Sequence, residues 1–133
     1  MSAMAAPFRV EVVAHAAALP ELRQVRDEVF VVEQGVPADL ERDAARDPLC
    51  VHVLARLEDG TPIGTGRLTP DRHVGRMAVR KPWRGRGVGD ALLHALLDAA
   101  WLQGPGAVRL NAQVDAIGFY ARHGFMPDGG RFI

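Results

Sequence analysis

Apolar and polar residues alternate from Phe8 through Val12, the period of a strand with one buried face, and this predicts a strand over 8–14. Leu22, Val25, Val29 and Val32 then recur at helical spacing behind Pro20 and Glu21, residues suited to a first helical turn. Gly35 can close that helix, with Pro37 beyond it. Residues 39–48 are charged and aperiodic and read as a loop. Val51, Val53, Ala55 and Leu57 alternate with His52, Leu54 and Arg56, a half-buried strand. Asp59-Gly60 is a hairpin turn into a strand over 63–68, and Thr69-Pro70-Asp71 turns into another over 73–79. A helix is predicted over 89–102, ended by Gly104-Pro105-Gly106. It joins Val88, Leu92, Ala95, Leu96 and Ala99 on one face and sets Asp90, His94 and Asp98 on the other. Residues 109–112 read as a further strand. Helices interleaved with a meander of strands give an α+β class with a mixed central sheet.

The chain has 133 residues, enough for one domain with a real core, expected over 8–133 behind a loose tail at 1–7. The formal net charge is zero, which disfavours nucleic acid as a main partner. One cysteine, Cys50, excludes an internal disulfide framework and suits a reducing, cytoplasmic location. No apolar run approaches the ~18 residues of a membrane span.

The most informative stretch is Arg84-Gly85-Arg86-Gly87-Val88-Gly89, between an apolar strand and an amphipathic helix. A glycine-rich turn there presents several backbone N–H groups to one point, at the positive end of a helix dipole, with arginines beside it. That is a phosphate site. The turn lacks the Gly-Lys-Ser/Thr ending of a P-loop, and its glycine spacing is not that of a dinucleotide fingerprint. What remains is Arg-x-x-Gly-x-Gly. It resembles the acyl-CoA pyrophosphate loop of the GCN5-related N-acetyltransferase (GNAT) family.

Three further segments carry the same resemblance. Met77-Ala78-Val79 precedes the loop, where the family has its cofactor-binding strand. Residues 116–125 contain Phe119-Tyr120 and end in Gly124-Phe125, similar to the family's later helix. Residues 29–37 resemble the end of the first helix in the ElaA/YjcF-like branch. The resemblance implies a mostly antiparallel sheet flanked by helices and splayed between its fourth and fifth strands, with CoA in the splay.

It also implies roles. Acetyl-CoA would be the cosubstrate, held at its diphosphate by Arg84, Gly85, Arg86, Gly87, Val88 and Gly89. Met77, Ala78 and Val79 would pair with the pantetheine arm, and one N–H there would polarise the thioester. Asn111 would bond the arm. Tyr120, the only tyrosine, is the candidate general acid, because a phenol keeps its proton at neutral pH. Glu33, at the end of the first helix, is the candidate base, with His52 second. The acceptor would be a small-molecule or protein amine, attacking directly in a ternary complex. A non-catalytic acyl-CoA sensor of the same fold is the alternative.

Cys50 and His52 lie two apart on one strand without a third orienting group, so a Cys-His nucleophile is disfavoured. The five histidines show no close ligand spacing, and no metal is expected. Residues 125–133 leave length for one short strand and little for a second, with Asp128-Gly129-Gly130 interrupting. The expectation is a short or missing last strand, from truncation or from a homodimer that covers the bare edge.

Overall fold

The computed structural model describes residues 8–110, 117–125, 127–128 and 131–132. Strand β1 (Phe8–Val13) leads into helix α1 (His15–Arg26), which continues as a π-helical segment over Asp27–Glu33. A short helix α2 (Ala38–Arg42) and a 3-10 turn (Asp47–Leu49) follow. Strands β2 (Val51–Leu57), β3 (Pro62–Leu68) and β4 (Val74–Val79) then lead through a 3-10 turn (Lys81–Trp83) to helix α3 (Val88–Leu102). Helix α4 (Ile117–Arg122) and strands β5 (Pro127–Asp128) and β6 (Arg131–Phe132) close the order.

β1 to β4 form an antiparallel meander in chain order. The parallel element is a single bridge, His73 to Arg109, in which Val74 N–H donates to the Arg109 carbonyl at 2.8 Å. Among the described residues no strand pairs with the rest of that β4 edge. Among the described residues, β4 is thus bridged at its start and unpaired on that edge toward its end.

Helices cover both faces of the sheet. Val53, Ala55 and Ile63 pack against Leu92, Leu93 and Leu96 of α3, all buried. Leu54 points the other way, onto Ala18 and Leu22 of α1. β2 is therefore buried on both sides rather than on one, because α1 lies over the face that its alternation left open. Each fully buried leucine contributes about 2 kcal/mol of hydrophobic stabilisation. Glycines set how closely α3 approaches. A Cβ on Gly64 would stand 2.8 Å from Leu92 Cδ1, and one on Gly66 2.8 Å from Leu96 Cδ1 and Met77 Sδ.

Several expectations are corrected. α1 begins at His15, and Pro20 lies inside it rather than in its first turn. The helical periodicity began with Leu22, yet Ala18 is already buried one turn earlier. The buried face of α3 includes Leu93 and Ala100, which widens the expected stripe. The charged stretch 39–48 is not a solvated loop. Its Glu41 and Asp47 are almost wholly buried, on Arg26. The end of the chain holds two short strands, with Pro127 opposite Phe132 and Asp128 opposite Arg131. Each is two residues long and, among the described residues, they pair only with each other, in keeping with the expected short last strand. Of the strand expected over 109–112, residues 111 and 112 lie outside the described residues, as does the tail 1–7.

Candidate active site

The glycine turn takes the shape its composition requires. Gly85 and Gly87 adopt φ of +75° and +84°, the left-handed region that a side chain disfavours. Gly87 caps α3, and no side chain caps the helix in its place. Among the described residues, no backbone N–H from Gly85 to Asp90 donates to a backbone carbonyl. A Cβ at Gly85 or Gly87 would meet no protein atom within 4 Å, so the space beside the turn is open. Open space, unbonded donors and a helix N-terminus together fit a diphosphate. Gly89 instead faces the ring of Phe119, 3.6 Å from where a Cβ would stand, so α4 packs on the start of α3.

The two loop arginines differ. Arg84 donates from Nε to the Val79 carbonyl at 2.7 Å and grips both carboxylate oxygens of Glu33 at 2.7 and 2.6 Å. Arg86 is exposed and makes no hydrogen bond or ion pair among the described residues. Of the two it is the side chain available to an incoming phosphate. The preceding turn is pinned by Arg80, which stacks on Trp83 at 5.0 Å and pairs with Glu28 at 3.0 Å.

β4 carries a bulge. Arg67 faces Gly75 and Thr65 faces Ala78, so β4 has one residue more than β3 over this interval. Arg76 takes up the excess with φ of +49°, a conformation that costs an arginine about 1 kcal/mol. The bulge turns the β4 backbone beside a cleft of about 650 Å³. Met77 from β4, Phe30 and Gln34 from the π-helical segment and its end, and Tyr120 from α4 all line it.

Tyr120 is half-buried, edge-on to Phe119 at 5.0 Å and to Phe125 at 6.0 Å. Burial pushes its phenol above the usual tyrosine range, so the proton is held more firmly than in water. The structure thus brings Tyr120 and Met77 to one cleft, with Val79 and the glycine turn further along the same chain path. Asn111 lies outside the described residues.

Glu33 is placed otherwise than a base requires. The hydrogen bonds from Arg84 hold its carboxyl below the usual range, and both oxygens are engaged. His52 is buried beneath α1, with Nε2 2.8 Å from the Asp47 carbonyl oxygen, and burial pushes its pKa down. The Cys50 thiol donates to the Arg46 carbonyl at 3.4 Å and is raised by burial, so no Cys-His pair forms. His15, Asp47 and His52 bring ligand atoms within 4.8 Å of one another. Asp47, however, already binds Arg26 at 3.0 Å and Arg67 at 2.8 Å, and those two charges oppose a metal cation.

That ionic cluster is what sequence reasoning missed. Arg26 is 2% exposed and bonds Glu41 at 2.6 Å. Arg67 bonds Asp43 at 2.8 Å, and Arg42 bonds Asp27 at 2.6 Å. Arg67 and Arg76 also line the cleft. The available signal was arginine at inward positions of two otherwise apolar or glycine-rich strands, opposite an unusually acidic connection.

Comparison with known proteins agrees with this geometry. The sequence model of the Acetyltransferase (GNAT) domain matches residues 15–133. Bacillus subtilis YjcF, named an uncharacterized N-acetyltransferase, is 40% identical over 105 residues, 76% of this chain and 73% of that one. An acyl-CoA N-acyltransferase from Pseudomonas aeruginosa superposes with a TM-score of 0.78 at 31% identity, covering 92% of this chain and 88% of its own. Escherichia coli ElaA superposes with a TM-score of 0.78 at 27% identity, covering 95% and 97%. The domain match runs through nearly the whole chain and the folds superpose, so the chain belongs to the GNAT acetyltransferase family, in the branch of ElaA and YjcF.

Proposed function

We propose that the chain transfers an acetyl group from acetyl-CoA to a primary amine, by direct attack within a ternary complex. The observation that carries this is one cleft lined by both Tyr120 and the bulged strand β4, whose chain runs on to a turn with N–H groups that make no backbone hydrogen bond among the described residues. Acetyl-CoA supplies the activated acyl group as a thioester. The N–H groups of 85–89 and the Arg86 side chain bind its diphosphate. The open edge of Met77, Ala78 and Val79 orients the pantetheine arm as an added strand, and Asn111 adds a hydrogen bond to it. A backbone N–H of that edge stabilises the negative charge that develops on the carbonyl oxygen. Tyr120 gives its phenolic proton to the departing sulfur as the C–S bond breaks. Glu33 holds Arg84 against the end of β4 and so shapes the turn. The proton of the attacking amine leaves to water in the cleft.

The site of action proposed is the cytoplasm, and no helix among the described residues is long and apolar enough to cross a membrane. A homodimer covering the sheet edge beyond Arg109 is tested by light scattering, where a monodisperse monomer argues against it. The activity is tested by following thiol release from acetyl-CoA across a panel of amines. Release with at least one amine supports the proposal. CoA binding by calorimetry without release from any amine makes the chain a sensor instead.

A further inference from the structure

We infer that the acceptor is a primary amine that also carries an anionic group, a carboxylate or a phosphate, seated on Arg76 and Arg46 in the cleft. This rests on the acetyl-transfer reading above and names the substrate class of the same site.

The charges lining the cleft are Arg46, Arg67, Arg76, Glu41 and the ionisable His73. Glu41 does not balance them. Its side chain is 1% exposed and already serves Arg26 at 2.6 Å and Arg42 at 3.1 Å, with Arg76 Nε a third guanidinium nitrogen at 3.2 Å. Arg67 is committed to Asp43 and Asp47, both at 2.8 Å.

Arg76 is left poorly served. Its Nη2 reaches the Leu40 and Glu41 carbonyls only at 3.4 Å, and its buried Nε lies 3.2 Å from Glu41 Oε2 without the alignment of a hydrogen bond. A guanidinium held by long or poorly aligned contacts gains from an anion that a ligand brings to its remaining N–H groups. His73 Nδ1 makes no hydrogen bond but lies 3.3 Å from Asp71 Oδ2. Arg46 is exposed and makes no ion pair among the described residues. Asp71, outside the cleft lining, accepts from Thr69 through Oδ1 and answers His73 through Oδ2, which leaves Arg46 and Arg76 as the groups for a ligand anion.

Glu41 is thus shared among Arg26, Arg42 and Arg76, while Asp43 and Asp47 serve Arg67, so the cleft is lined by three arginines against one carboxylate and its surplus is positive. A polycationic amine would meet that surplus as repulsion. An amine with a carboxylate or phosphate would meet the exposed Arg46 guanidinium, which makes no ion pair among the described residues, beside an Arg76 held by long hydrogen bonds and a shared carboxylate. Phe30, Val36 and Leu40 add apolar lining that takes the carbon skeleton.

The test uses matched pairs that differ in the anion: phenylalanine against phenethylamine, and phosphoethanolamine against ethanolamine. Thiol release is measured for the intact chain, for Arg76→Gln and for Arg46→Gln. The expected result is a kcat/KM at least about tenfold higher for the anionic member of one pair, with that ratio falling toward one in both variants. The pair that shows it tells carboxylate from phosphate. Because the ratio is taken within one protein sample, partial unfolding of a variant does not imitate the effect. Should Arg76→Gln fail to fold, Arg46→Gln, on an exposed residue, carries the comparison. Equal or better use of the uncharged member in both pairs overturns the inference. If no amine releases thiol, the acetyl-transfer reading fails. Calorimetry of the same pairs on CoA-saturated protein then decides the acceptor class: preference for the anionic member, lost in Arg46→Gln, supports it, and no preference overturns it.

Discussion

Glu33 and Arg84, 51 residues apart in sequence, form a two-point ion pair with N–O distances of 2.7 and 2.6 Å. It ties the end of the first helical segment to the turn that opens α3. The carboxylate with the best sequence position for a base is thereby a strut of the glycine turn.

Glu33→Gln is therefore expected to act on cofactor binding. The pair is exposed, and exposed pairs contribute little, so the KM for acetyl-CoA should change by less than about tenfold, with kcat retained. Steady-state kinetics separate this from a base role. A base would cost kcat about 10²-fold at unchanged KM for the cofactor.

Tyr120→Phe is expected to lower kcat by about 10²-fold while leaving the KM for acetyl-CoA and the melting temperature nearly unchanged. The ring contacts with Phe119 and Phe125 survive the substitution. The pH profile adds a second readout. Burial raises the phenol, so the acid stays protonated to a higher pH than free tyrosine, and kcat should fall only above about pH 10. Tyr120→Phe should lose that basic limb. An unchanged kcat with a lower melting temperature would make Tyr120 a packing residue.

Gly87→Ala and Gly60→Ala form a matched pair. Both positions have strongly positive φ, +84° and +93°, and a Cβ added at either would meet no protein atom within 4 Å. Each substitution should cost about 1–2 kcal/mol of stability from backbone strain alone. Only Gly87→Ala should also abolish CoA binding in calorimetry, because its Cβ enters the space beside the unbonded N–H groups. Equal CoA affinity in the two variants would show that the turn does not hold the diphosphate.

Stability should fall with acid in two stages. Burial lowers the His52 pKa in the folded state, so the unfolded chain binds a proton that the folded chain refuses. That contribution is complete above about pH 6.5 and is lost as pH falls through the lower folded value. Burial alone would raise Asp47, but the Arg26 charge and the hydrogen bonds from Arg67 and Arg26 outweigh it, and the net shift is downward. Its contribution is complete above about pH 4 and is lost below that. Melting curves from about pH 8 to 3 should show both declines. His52→Gln, whose amide can still donate to the Asp47 carbonyl, should remove the first and keep the second.

The local features were legible in the chain. β1, β2, β3, β4 and α3 follow from alternation, from one hairpin dipeptide and from 3.6-residue spacing, because each is dictated by neighbours a few positions away. The glycine turn was legible for the same reason: a left-handed φ leaves its mark in the residue that adopts it. Tyr120 could be singled out as the only tyrosine, four residues before a helix-ending glycine. What residues 39–48 do was decided only in three dimensions. Asp39, Glu41, Asp43 and Asp47 read as a charged loop, until α1, β3 and β4 bring Arg26, Arg67 and Arg76 against Glu41, Asp43 and Asp47. The fate of Glu33 was set the same way, by an arginine 51 residues on. Burial and ion pairing are sums over partners distant in sequence, and those partners assemble only when the helices close on the sheet. The sequence by itself determined the family, the turn and the strands. The tertiary structure decided which charges are neutralised and which are left facing the cleft.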